Sequence, residues 1–173
     1  VGFKNMSSNA TIEQWQNGGH PIRAAYFATN NFLATMGAQA EKQLEWYKQL
    51  EFVVVEDLFM TPTMMALADV VLPASTYSER NGFGGLNPYS ISSITKAIEP
   101  VGDTKPDNTI FLELGKRLVE AIRPENADIA WPWDTVEEMW DYALEDGGFT
   151  WEELKESVWK YPEFKYRKYE TGD

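Results

Sequence analysis

Apolar residues along this chain fall into short runs and helical stripes, separated by clusters of turn formers. Residues 23–28 are small, aromatic and unbroken, which reads as an internal strand; Thr29-Asn30-Asn31 ends it, where polar turn formers arrive together. Residues 38–50 place Ala40, Leu44, Tyr47 and Leu50 at helical spacing, with Glu41 and Glu45 on the wet side. Residues 52–55 then run apolar without alternation, as a strand covered on both faces does. Thr61-Pro62 marks a helix start, because Thr can cap and Pro at the first helical position needs no amide partner. Met64, Met65, Leu67 and Ala68 fill that short helix and Asp69 breaks it. Residues 70–72 enter another buried strand, which Pro73 ends. Strand–helix–strand–helix–strand is the doubly wound pattern, with right-handed crossovers as the default. The expected fold class is therefore α/β: a doubly wound, Rossmann-like, mostly parallel sheet with helices on both faces, plus a small helical, aromatic-rich C-terminal extension.

Beyond the third strand the pattern loosens. Residues 75–85 read as a charged, glycine-rich loop, 87–93 as a turn with an edge-like stretch, and 94–98 as a short strand leading to Pro100. A linker at 102–106 precedes a helix through Arg123, with Ile110, Phe111, Leu114, Leu118 and Ile122 as its expected buried stripe and Asp107 where an N-cap belongs. After Pro124 the style changes. Asp134-Thr-Val-Glu137 and Thr150-Trp-Glu-Glu153 both read as capping boxes opening short helices, and Gly147-Gly148 separates them. Trp131, Trp133, Trp151, Trp159 and Tyr161 are expected to form a small aromatic core rather than a stacking platform. The expected partition is 1–21 as a loop-rich lead-in, 22–123 as the Rossmann-like domain and 124–173 as a helical extension.

Composition narrows the function. Across 173 residues there is no cysteine and one histidine, His20, so this chain cannot build a disulfide framework, a zinc site or an iron–sulfur cluster. A net charge of −12 argues against nucleic acid and anionic membranes as partners. Residues 124–173 hold 14 acids against 5 bases, so the extension presents a different surface from the rest. No segment is long and apolar enough to suggest direct membrane insertion. The first residues read as the middle of a protein, and a fragment of something larger is expected; its compartment is left open.

In doubly wound sheets, ligands lie beyond the carboxyl ends of the strands. Three polar loops gather there by topology: Thr29-Asn30-Asn31, Glu56-Asp57, and the stretch with Glu79, Arg80 and Asn81. A carboxylate can accept from both the ring NH and the amino group of guanine, or from a ribose diol. Asparagine offers donor and acceptor together, and arginine can pair a phosphate or stack on a base. The group suits a nucleotide end. Each residue also has a plainer reading: turn chemistry for Asn30 and Asn31, solvated acids for Glu56 and Asp57, a surface charge for Arg80, a helix cap for Asp107. The first strand is followed by no G-x-G-x-x-G, and no Walker-type loop occurs, which disfavours an ordinary NAD, FAD or ATP site.

The contiguous stretch EDLFMTPTMMALADVVLPASTYSERNGF, residues 56–83, resembles the signature of the dimethyl sulfoxide reductase family of molybdopterin oxidoreductases. Weaker echoes run from Ala24 to about Leu118 and return at Tyr169-Glu170-Thr171-Gly172. The resemblance implies a molybdenum or tungsten ion held by two molybdopterin guanine dinucleotides, with this chain as the later of two Rossmann-like cofactor-binding domains. It implies that Asn30 lies on the loop after the first strand and that Glu56 and Asp57 close the second, with Asp57 reading guanine. It likewise implies that Arg80 and Asp107 contact the nucleotide. The chain departs from the family's commoner forms at Asn31-Phe32, in place of Asn-Pro, and at Gly-Gly-Leu-Asn87-Pro88. The stretch around 131–158 is similar to branches with acetylene hydratase-like and anaerobic reductase-like enzymes. The metal ligand and any iron–sulfur cluster are expected upstream, so this chain supplies no catalytic residue and is expected to be inactive alone. The expected partners are the rest of its own catalytic subunit, any electron-transfer subunit and a small-molecule substrate. The rival reading is a non-catalytic α/β interaction module that uses the acidic C-terminal third.

Overall fold

Three parallel strands, β1 (Ala24–Ala28), β2 (Phe52–Asp57) and β3 (Val70–Pro73), lie side by side in chain order. Their register pairs Phe27 with Val55 and Val55 with Val71. A computed structural model describes residues 22–87 and 90–156, and the chain divides between Ala74 and Ser75 into two compact units. The strands belong to the first unit. Between β1 and β2 come α1 (Phe32–Thr35), a 3-10 turn at Gly37–Gln39 and α2 (Ala40–Tyr47); α3 (Pro62–Leu67) joins β2 to β3.

The two-residue period of a strand decides which side chains meet the helices. Val53 and Val55 of β2 and Phe27 of β1 pack with Phe32, Tyr47 and Met64 into the core of this unit. The rings of Phe27 and Tyr47 meet edge-on with centroids 5.0 Å apart. Each such fully buried side chain contributes about 1.5–3 kcal/mol. As read from the sequence, Thr61 caps α3 by accepting from the Met64 amide, with Pro62 behind it. Asp69 does more than break the helix: its carboxylate accepts from the Val53 amide at 2.7 Å, and its own amide donates to the Val53 carbonyl.

Several expectations change. The helix expected over 38–50 is shortened to Ala40–Tyr47, and α1 occupies a stretch that carries no periodic signal. Gln43, not Leu44, takes the buried position one turn before Tyr47. The crossover helices all pack on the Phe27/Val55 face. Strand β3 is not buried as expected: Val70 is 39% and Val71 43% exposed, since β3 is the edge of the three described strands.

In the second unit the glycine-rich segment is a strand rather than a loop. β4 (Gly82–Asn87) pairs antiparallel with β5 (Ser90–Ile94), Phe83 opposite Ser93, with a bulge between Gly85 and Asn87. Alternation was invisible because Phe83 has glycines on either side of it, and the expected strand over 94–98 is displaced onto Ser90–Ile94. The helices are α4 (Asp107–Ile122), α5 (Ala127–Ala130), α6 (Val136–Leu144) and α7 (Trp151–Glu156).

Trp140, Leu144, Trp151 and Leu154 make the core of this unit, with Phe83, Ile91, Val136, Met139 and Phe149 packed against it. The C-terminal helices α6 and α7 therefore share one core with the hairpin. The Thr150/Glu153 capping box forms as read, whereas the other is Thr135/Glu138, one residue later than expected. On α4 the buried positions are Ile110 and Leu112, while Phe111, Leu118 and Ile122 are exposed. Gly115 is required by contact: a β-carbon there meets the Trp131 ring at 2.4 Å. Of the tryptophans expected in an aromatic core, Trp151 packs there, its ring 4.5 Å from that of Trp140, while Trp131 and Trp133 meet edge-on as a half-buried pair outside that cluster. His20, Trp159, Tyr161 and the loop-rich lead-in up to residue 21 lie outside the described residues. No described helix is long and apolar enough to cross a membrane.

Candidate functional site

The first unit brings Asn30, Glu56 and Asp57 to the carboxyl ends of β1 and β2. Ala28 is paired with Glu56, and the Thr29 amide donates to the Glu56 carbonyl at 2.8 Å. This fixes the start of the loop after β1 beside the end of β2. Thr29 stands at φ +47°, in the left-handed region that a β-branched residue enters at a cost of about 1–2 kcal/mol. That turn swings the chain so that Asn30 is exposed, with no hydrogen bond from its side chain among the described residues. Asn31 behaves differently. Its Oδ1 accepts from the Thr63 hydroxyl at 3.0 Å, so this side chain is held inside the unit.

The acidic pair also divides. Strand alternation points Glu56 and Asp57 to opposite faces of β2. Glu56 is fully buried and accepts from the Tyr26 hydroxyl across the β1–β2 pair. Asp57 is half-buried; its Oδ1 accepts from the adjacent Leu58 amide at 2.7 Å, and Oδ2 takes no hydrogen bond among the described residues. Asp57 is thus the more exposed of the two, and Glu56 is buried beside Tyr26. Tyr26 was not singled out in the sequence, because a one-chain reading does not give the register that sets it beside Glu56.

In the second unit Arg80 and Asp107 come together. The guanidinium lies 3.9 Å from the Asp107 carboxylate, with the two side chains 24% and 30% exposed. The pair is long and incomplete: Arg80 Nε and Asp107 Oδ1 are both buried and have no hydrogen-bond partner among the described residues. Asp107 is not the helix cap. Pro106 holds that position without a side-chain bond, and Asp107 is the first residue of α4. Beside them lies a recess of about 240 Å³ lined in part by Arg80, Asn81, Asn108 and Thr109.

The neighbours of Arg80 are structural. Glu79 is buried and accepts from the amides of Thr76 at 2.7 Å and Val101 at 3.1 Å; the Thr76 amide first of all holds its carboxyl below the usual carboxylate range. Asn81 accepts from the Lys96 amide. A lowered folded-state value means that the Glu79 bonds stabilise above the ordinary carboxylate range and lose that effect as pH falls through the folded value. Glu79→Gln is thus expected to lower the Tm at neutral pH, with the deficit narrowing below about pH 4. Parallel melting curves from pH 7 to pH 3 check this, and a deficit constant with pH would refute it.

An orphaned donor and an orphaned acceptor in one place fit a nucleotide, which offers both. A model for the family described as molybdopterin oxidoreductase matches residues 3–117, more than half of the chain. Formate dehydrogenase H of Escherichia coli (strain K12) is 33% identical over 110 residues, spanning 64% of this chain and 15% of the relative. The solved acetylene hydratase from Pelobacter acetylenicus superposes with a TM-score of 0.70 over 90% of this chain and 20% of that one; at 24% identity, this is a likeness of fold. The chain thus spans about a fifth or less of the length of these relatives. On the family match, which includes both the β1–β3 sheet and the Arg80 and Asp107 positions, the chain belongs to the molybdopterin oxidoreductase family.

Proposed function

We propose that this chain binds the guanosine end of a molybdopterin guanine dinucleotide within a larger molybdopterin-dependent oxidoreductase. The observation that carries this is the unmatched Arg80–Asp107 pair, in which a buried N–H and a buried carboxylate oxygen lack partners among the described residues. Leaving a buried polar group unsatisfied costs about 1–3 kcal/mol, which a ligand supplying the missing partners would recover. In the first unit, Asp57 would accept from the ring NH and amino group of guanine, and Asn30 offers an adjacent donor and acceptor. In the second unit, Arg80 and Asp107 would meet phosphate or hydroxyl groups of the cofactor. The cofactor supplies the redox chemistry of its molybdenum or tungsten ion, while these residues bind and orient. The rest of the catalytic subunit, any electron-transfer subunit, any iron–sulfur cluster and the small-molecule substrate belong to the same proposal.

The test uses the intact native protein, purified anaerobically: molybdenum and tungsten per chain, and GMP released by acid. Metal with about two GMP per metal atom is expected from the two dinucleotides. Arg80→Ala is expected to retain less of both. Neither metal nor GMP in the native protein would overturn the assignment and favour the interaction-module reading.

A further inference from the structure

We infer that Thr63 and Asn31 form a positioning pair that sets the Asn30 loop for reading the nucleotide base; this rests on the guanosine assignment above. Thr63 is fully buried at the start of α3, and its hydroxyl is used twice. It donates to Asn31 Oδ1 at 3.0 Å and accepts from the Leu33 amide at 3.1 Å. Both bonds run from the helix that follows β2 to the segment that follows β1. They tie the two carboxyl-end loops of the sheet to each other.

The loop needs such a tie. Helix α1 has four residues, too few to hold its own shape without tertiary support. Asn31 is its N-cap residue but makes no capping bond, because its side chain is committed to Thr63. On the other flank, Thr29 keeps its left-handed backbone while its amide is bonded to the Glu56 carbonyl. A strained residue of this kind persists only where its surroundings over-determine it. Asn30 therefore sits between two anchored neighbours, one fixed to β2 and one to α3, with its own side chain exposed. A group that reads a base must be held to about half an ångström, and this pair of anchors supplies that constraint.

The test compares Thr63→Val, Thr63→Ser, Asn30→Ala and the Thr63→Val/Asn30→Ala double variant in the intact holoprotein, reading GMP per metal and the rate of GMP loss on dilution. Valine keeps the shape and removes the hydroxyl, so GMP loss is expected to quicken on the order of ten-fold. Serine restores the hydroxyl and is expected to behave as wild type. In the Asn30→Ala background, Thr63→Val is expected to add little, because the group it positions is gone. Unchanged GMP retention in Thr63→Val, or an equal further loss in both backgrounds, would overturn the inference and reduce Thr63 to a packing residue. Should Thr63→Val fail to accumulate, Asn31→Ala carries the same cycle from the other end of the bond. Absence of GMP from the wild type is a separate outcome, which removes the guanosine assignment itself.

Discussion

Truncating Trp151 to alanine is expected to destabilise the second unit by about 3–5 kcal/mol, the range for removing a large aromatic side chain from a packed core. Trp151 is 2% exposed, lies 4.5 Å from the Trp140 ring, and belongs to the cluster that contains Leu144 and Leu154. It is also the first residue of α7, and its amide donates to Asp141 Oδ1 at 2.6 Å, which ties α7 to α6. Alanine keeps that backbone bond and loses the ring, so the variant isolates packing from capping. Thermal unfolding of the intact protein should show the corresponding transition falling on the order of 10 °C. Trp151→Phe, which refills most of the volume, should recover more than half of the loss. A Trp151→Ala transition within 2 °C of wild type would show that the ring is not part of the core of this unit.

That core was only partly legible in the sequence. The α6 stripe of Val136, Met139, Trp140 and Leu144 stands out because apolar residues recur at helical spacing on an otherwise acidic helix. Its partners Phe83 and Ile91 do not, because glycines surround Phe83 and serines surround Ile91, and neither run alternates clearly. On α4, helical spacing puts Phe111, Leu118 and Ile122 in the stripe with Ile110 and leaves out Leu112, which is buried; the face turned inward also carries tertiary contacts such as that between Gly115 and Trp131, which spacing does not report. Local signals fared better. The Thr61-Pro62 helix start and the Thr150/Glu153 capping box need only neighbouring residues, and both form as read.

The candidate site divides along the same line. Strand ends and polar loops are local, so Asn30, Glu56, Asp57 and Arg80 are candidates from the chain alone, whereas Asp107 is a candidate only through the family resemblance. Which of two adjacent polar residues is held inside the unit depends on pairing across the sheet. Tyr26 occupies Glu56 and Thr63 occupies Asn31, at separations of about thirty residues. The apolar run 70–72 was read as buried from hydropathy, which reports what a strand prefers to meet and not whether this segment supplies it.

Asp57→Asn is expected to have the largest effect on cofactor retention. The native carboxylate accepts from the Leu58 amide through Oδ1, a bond that the asparagine carbonyl oxygen can keep, so the loop and the fold should stand. What changes is the second oxygen. In the proposed mode a carboxylate accepts two hydrogen bonds from the guanine edge; asparagine turns an NH₂ donor toward a donor and removes the charge that strengthens both bonds. Hydrogen bonds to a charged group contribute about 1.5–3 kcal/mol each, so losing the pair should weaken binding on the order of 100-fold or more. The intact variant should therefore lose most of its GMP and metal on dilution while its melting temperature, measured after cofactor removal from both proteins, matches wild type. Asp57→Glu should recover little, because the longer side chain moves the carboxylate out of register with a base held elsewhere. Full GMP content in Asp57→Asn would remove Asp57 from the site, and an equal loss of cofactor-free stability would assign it to the sheet.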